Sequence, residues 1–223
     1  MTIHEPATLL TDYLLALLGA YLAWRLHRHP SIKTPAVRWW FRALVVLAVS
    51  AFVGGSYHGF APNLPQVVDD LWWRVVLWII CLLGYALGNA LVCEVVPDDK
   101  QAIWRRLIAT KLLIASVSVV LLPEFFVSIA GYAPVMLAWG VAALLLSRPW
   151  RGWILAAVAL SAIAAWVQQS EVSWSEHMNH NDVFHLIQAL ALIGFYRAAK
   201  LMGGSLETGR PPATCRAAEI DSS

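Results

Sequence analysis

The sequence predicts an all-α integral membrane protein, a bundle of seven transmembrane helices with its N-terminus outside and its C-terminus in the cytoplasm. Three observations carry the prediction: an apolar composition, seven long apolar stretches, and basic residues confined to alternate connections. Of the 223 residues, 59% are hydrophobic and 13% are charged. A water-soluble domain carries about 45–50% apolar and about 25% charged residues. So little polar surface cannot cover a body of this size in water. The same figures exclude a disordered chain and a disulfide-rich secreted scaffold. A net charge of +2 gives no electrostatic footprint for nucleic acid. Cys81, Cys93 and Cys215 form no CxxC pair, so no thiolate metal site is signalled.

A crossing helix needs about 20 apolar residues. The candidate spans are Leu9–Trp24, Ala43–Phe60, Leu71–Val96, Leu107–Leu122, Phe125–Leu146, Trp153–Gln168 and Asn181–Met202. The first follows a stretch without Lys or Arg and is followed by Arg25 and Arg28. That charge order suits a retained helix and not a cleaved signal peptide. The second closes on Gly54-Gly55-Ser56-Tyr57-His58-Gly59-Phe60, small residues that admit a close neighbour. The third opens after Asp69 and Asp70, is long enough to tilt, and carries Gly88 and Asn89 as packing residues. The fourth follows a charged segment, and Lys111 is expected to snorkel to the cytoplasmic face. In the fifth, Pro134 predicts a kink. Pro30, Pro35, Pro62, Pro65, Pro97, Pro123 and Pro149 fall between spans, where a missing N–H costs little. Trp39, Trp40, Trp72, Trp73 and Trp174 are expected as interfacial anchors. No internal repeat is visible. Residues 1–203 read as one seven-helix domain and 204–223 as a flexible cytoplasmic tail.

Every Lys and Arg except Arg74 falls in the connections after spans one, three and five, in the helix ends beside them, or in the tail. The positive-inside rule sets the orientation from this asymmetry. Topology then gathers residues that are far apart in sequence into one layer near the outer face. These are Asp12 in span one, His58 at the end of span two, Asp69 and Asp70 before span three, and His177, His180, Asp182 and His185 at the start of span seven. An ionisable residue in or at the lip of a membrane bundle is costly to bury unpaired, and so marks a functional site. In the last span Asn181, His185 and Gln188 share one stripe, and Asp182 is three residues from His185. The opposite face, Val183, Leu186, Leu190 and Ile193, is apolar.

These residues resemble the alkaline ceramidase-like, or CREST, superfamily of seven-transmembrane metal-dependent hydrolases. Ser56 and His58 stand where that family has its serine and first zinc histidine, and Asp69 follows His58 by eleven residues, as the family's aspartate does. The opening Asn181-Asp-Val-Phe-His185 is similar to the family's HxxxH helix. The spacing departs in two places: Ser-x-His replaces Ser-xxx-His, and Asn181 replaces the first histidine of HxxxH. The resemblance implies Zn²⁺ held by His58, His185 and His180, with His177 as the alternative third ligand. A zinc-bound water has a pKa near ~7. Asp69 or Asp70 would accept its proton, and Ser56 would hydrogen-bond the developing oxyanion. Asp12 or Asp182 would orient a ligand imidazole. The expected activity is hydrolysis of a lipid amide or ester at the outer interface, with a membrane lipid as the partner molecule.

Two other classes fit the same pattern. One is a small transporter or proton-coupled permease with histidines that shuttle protons; the absence of an inverted repeat weighs against it. The other is a non-catalytic membrane subunit that senses metal or pH. Short loops and the lack of an endoplasmic-reticulum retention signal suggest a multi-pass protein of a bacterial inner membrane.

Overall fold

The computed structural model describes residues 2–170 and 178–202. Among them the regular elements are seven α-helices and two short 3₁₀ turns. The helices are α1 (Pro6–His27), α2 (Pro35–Phe60), α3 (Gln66–Val95), α4 (Asp98–Leu121), α5 (Phe125–Leu145), α6 (Arg151–Ser170) and α7 (His180–Leu201). Five of them, α1, α2, α3, α5 and α6, are long and apolar enough to cross a membrane. This makes the chain a membrane protein. His177, Trp174 and the tail 204–223 lie outside the described residues.

The helices reach further than the apolar stretches alone indicate. Helix α2 begins at Pro35, with Thr34 as its cap. Proline at the first position loses no hydrogen bond there, because that N–H has no partner inside the helix. Helix α4 begins at Asp98 and holds its charged first turns in helical form. Acidic side chains at Asp98 and Asp99 complement the positive end of the helix dipole. Pro134 lies inside α5, which runs on from Phe125 to Leu145.

Helices α1, α2, α3, α5, α6 and α7 each pack on the next, and α7 closes on α1. Helix α4 stands outside this ring against α3 and α5. Its buried contribution is Ala115 and Val119, packed on Leu77 and Cys81 of α3. Lys111 Nζ donates to the Gly131 carbonyl and ties α4 to α5. A half-buried ammonium is costly without such an acceptor.

Connections alternate between the two ends. One end, here the His58 end, holds the starts of α1, α3, α5 and α7. The other, the His27 end, holds the starts of α2, α4 and α6. The His27 half is filled by indoles. Trp40 is 2% exposed, and Trp139 and Trp150 are fully buried. Trp40 stacks on Phe195 and tilts against Trp139. The expectation of Trp40 as an interfacial anchor is therefore corrected. It is core, because its face of α2 meets α5 and α7. Trp139 donates to the Leu87 carbonyl at 3.1 Å and Trp150 to Glu94 at 2.7 Å, which satisfies both N–H groups away from water.

Candidate functional site

The ring encloses a cavity of about 370 Å³. On α2 its wall is the stripe Trp40, Ala43, Leu44, Leu47, Ser50, Ala51, Gly54 and His58. The body is apolar, and the polar groups sit at the His58 end and along the α6–α7 side. Asp12, His58, His180, Asn181 and His185 line that end, with Gln168, Gln188 and Ser161 beside them.

The centre of the site is a chain of hydrogen bonds between α1 and α7. Asp12 Oδ1 lies 3.1 Å from His185 Nε2. Thr11 Oγ1 lies 3.0 Å from His185 Nδ1 and 3.4 Å from Asp182 Oδ1. Both rings of contact are deeply placed: Asp12 is 5% exposed, His185 7% and Asp182 1%. A carboxylate this buried is stable only when partnered. Asp182 has a second duty as part of the α7 capping box. Its Oδ2 accepts the Asn179 N–H at 2.8 Å, while Asn179 Oδ1 accepts the N–H groups of Asn181 and Asp182. The box fixes where α7 starts and so the height at which His185 meets Asp12. Asn179 Nδ2 also donates to Thr8 Oγ1 on α1 at 3.3 Å.

Two glycines let α1 come this close to α2. A Cβ on Gly55 would lie 2.7 Å from Asp12 Cβ, so no larger residue fits there without moving α1. At Gly54 the nearest atom to such a Cβ is Asp12 Oδ2, at 3.8 Å. Gly54 thus leaves space beside the oxygen that His185 does not engage. That oxygen has no hydrogen bond among the described residues.

His58 is held separately. Its Nδ1 lies 3.3 Å from Glu5 Oε2. The hydrogen bond from His58 holds the Glu5 carboxyl below the usual glutamate range, against the opposing effect of partial burial. Glu5 also interacts with Thr8 and Asn179. Its backbone is left-handed, with φ 37°, a conformation that costs a non-glycine residue on the order of 1–2 kcal/mol. The preceding residues run across the end of α2: His4 N donates to the Gly59 carbonyl, and Thr2 and Asn63 bond each other.

The remaining sequence-derived residues are placed as follows. Ser56 is not on the cavity; its hydroxyl bonds the Phe52 carbonyl at 2.8 Å and the Tyr13 hydroxyl at 2.9 Å. Two residues before His58 is the wrong side of the helix to share its face. Asp69 sits beside Tyr57, with its Oδ1 buried and unpartnered among the described residues. Asp70 is exposed and accepts from Gln66. His180 and Asn181 open α7 on the cavity wall, and Asn181 accepts from Gln168 at 3.4 Å.

Thr11 was not singled out by sequence reasoning. Its signal was available as a hydroxyl one turn from Thr8 and next to Asp12, within an otherwise apolar run.

Among the described residues no three His, Cys, Asp or Glu side chains converge to hold a metal ion. His185 has both ring nitrogens on Thr11 and Asp12, and His58 has Nδ1 on Glu5. Together these contacts form a buried acid–imidazole–hydroxyl chain at one end of an apolar cavity.

A family model matches residues 7–203, described as a family of unknown function, DUF6962. The chain belongs to this family. The match runs from the first turn of α1 to just past the end of α7, so the cavity and every residue of the α1–α7 chain fall within it. No curated protein and no solved structure matches the chain.

Proposed function

We propose that the protein is a membrane-embedded hydrolase of a lipid amide or ester. The lipid chain occupies the apolar body of the cavity, and its polar group rests at the His58 end. The observation that supports this reading is the carboxylate of Asp12. One oxygen is fixed by His185, and the other is left beside the Gly54 gap on the cavity wall.

Such a carboxylate is placed to accept a proton from water. The water oxygen bonds to the carbonyl carbon, the C–N or C–O bond breaks, and the proton passes from Asp12 to the leaving nitrogen or oxygen. His185 holds the carboxylate and is itself held by Thr11, so little rearrangement is needed during the step. His58, anchored through Nδ1, presents its ring to the same end of the cavity and donates to the developing oxyanion when protonated. No step requires a metal.

In this reading all seven helices cross the membrane, with the His58 end outside and the His27 end in the cytoplasm of a bacterial cell. The confinement of Lys and Arg to alternate connections supports that orientation. Helix α7 owes its lower hydropathy to the stripe it turns toward the cavity; its other face, Leu186, Leu190 and Ile193, is exposed. Toward the His27 end the cavity is lined by the stacked rings of Trp40 and Phe195 and carries no polar path, which supports a binding cavity over a permease.

The test is to purify the chain in detergent and incubate it with lipid amides and esters beside Asp12→Asn. Cleavage lost in the variant, with lipid still bound, supports the proposal. Tight binding without cleavage in the natural protein would make it a lipid sensor. One zinc per chain, lost in both His58→Ala and His185→Ala, would overturn the metal-free assignment.

A further inference from the structure

We propose that a groove on the outside of the α1–α2 hairpin holds an acyl chain of an anionic phospholipid, with its phosphate at the His27 end near Arg28 and Arg38. The inference rests on membrane embedding and is independent of the chemistry proposed for the internal cavity. The groove has a volume of about 690 Å³ and an almost wholly apolar lining. Its floor is alanine, Ala16, Ala20 and Ala23 from α1 and Ala48 from α2, and aromatic residues form its lips, among them Trp24 and Phe41. The floor is low because the helices meet closely: a Cβ on Gly19 would lie 3.2 Å from Ala48 Cβ. The groove follows α1 from Tyr13 to His27. At 1.5 Å per residue that is about 21 Å, longer than the ~15 Å of one leaflet's hydrocarbon. One chain anchored at the His27 end therefore lies in the groove along its whole length.

Charge selects the lipid. From Tyr13 to Val68 the hairpin contains no Asp or Glu, yet carries Arg25, Arg28, Lys33, Arg38 and Arg42. These basic residues gather at the His27 end. The Arg28 guanidinium lies 4.7 Å from the centre of the Trp24 ring, on one lip of the groove. Arg38 is one turn before Phe41 on the same stripe, and donates to the Lys33 carbonyl at 2.7 Å. Basic residues at the membrane surface attract anionic headgroups by about 1 kcal/mol per residue, and the acids at this end, Glu94, Asp98 and Asp99, belong to α3 and α4 and not to the hairpin. A second copy of the chain would bring the same positive cluster against itself, or leave it unpaired at the edge of the contact.

The experiment uses the full chain, delipidated in detergent, with phosphatidylglycerol or phosphatidylcholine added in mixed micelles and melting followed by loss of the monodisperse species. Phosphatidylglycerol should raise the melting temperature more than phosphatidylcholine does. The Arg28→Gln/Arg38→Gln variant, which disturbs no buried packing, should lose that difference. Ala20→Phe, which fills the groove, should lose the response to both lipids, while Leu137→Phe on the exposed face of α5 should keep it. Equal shifts from the two lipids in the natural chain, or an unchanged response in Ala20→Phe, would overturn the proposal. So would a disulfide-linked dimer formed through Ala20→Cys, which would place a second copy on the groove.

Discussion

Gly54 and Gly55 are adjacent on α2, and the same added methyl group should have opposite effects at the two positions. Alanine is favoured over glycine in a helix by about 0.8–1.0 kcal/mol. At Gly54 the new Cβ meets nothing closer than Asp12 Oδ2 at 3.8 Å and Val76 Cγ1 at 3.9 Å. These are ordinary contacts, so Gly54→Ala should stabilise the chain by up to about 1 kcal/mol. At Gly55 the Cβ would lie 2.7 Å from Asp12 Cβ, 3.1 Å from Tyr13 Cδ1 and 3.2 Å from the Leu9 carbonyl. None of these atoms is the free end of a flexible side chain. Helix α1 must therefore move, at an overpacking cost of about 1–3 kcal/mol.

After the gain in propensity, Gly55→Ala should be destabilised by up to about 2 kcal/mol, and the two variants should differ by about 1–3 kcal/mol. For a chain of this size each kcal/mol corresponds to about 2–4 °C in melting temperature. Melting in detergent, followed by tryptophan fluorescence, reads the difference directly. The displacement should also carry Asp12 away from His185, so Gly55→Ala should lose lipid cleavage even where it remains folded. If the two variants melt together, α1 does not pack on α2 at this height, and the geometry assigned to Asp12 is wrong.

Three further outcomes are expected. Asp12→Asn keeps the size and one hydrogen bond to His185 and removes the proton acceptor, so cleavage should fall by about 10²–10⁴-fold with melting little changed; retained turnover would reassign the base. Glu5→Gln should remove a pH dependence of stability. The depressed carboxyl makes the Glu5–His58 contribution complete above the ordinary value of 4.5 and lost as pH falls below it, so the variant and the natural chain should differ near neutrality and converge in acid. Trp150→Phe strands Glu94 by removing its 2.7 Å indole donor. It should cost about 1–3 kcal/mol, and Trp150→Phe/Glu94→Leu should recover part of the loss, read by melting in detergent.

The helical class and the gathering of Asp12, His58 and His185 at one end were legible because both follow from apolar segments and alternation of direction. Alternation fixes height in the bundle and leaves open which side chains meet at that height. His58 and His185 are at one level, and the resemblance to the ceramidase-like hydrolases implied that they share an ion. In the structure each is satisfied by a carboxylate from the start of the chain, His58 by Glu5 and His185 by Asp12. That outcome depends on α7 packing against α1, a long-range closure of the ring that no local pattern encodes. Ser56 shows the complementary limit: the resemblance implied chemistry shared with His58, but their spacing of two residues puts them on different faces. Asp69 likewise matched a spacing yet packs beside Tyr57.

The same closure explains why the acids near the start of α1 matter more than their place in the sequence suggests. In a bundle that excludes water, an imidazole without a partner is costly. The helix that supplies the partner therefore helps decide the packing. Asp12 reaches His185 because Gly55 lets α1 approach, because the Asn179–Asp182 box starts α7 one turn before His185, and because Thr11 holds the far side of the ring. Removing any one of the three shifts the buried Asp12–His185 pair or takes a partner from it. The site and the α1–α7 seam of the ring are thus held by the same contacts. Variants that disturb the seam should lose melting temperature and ligand cleavage together, whereas Asp12→Asn, which preserves the seam, should lose cleavage alone.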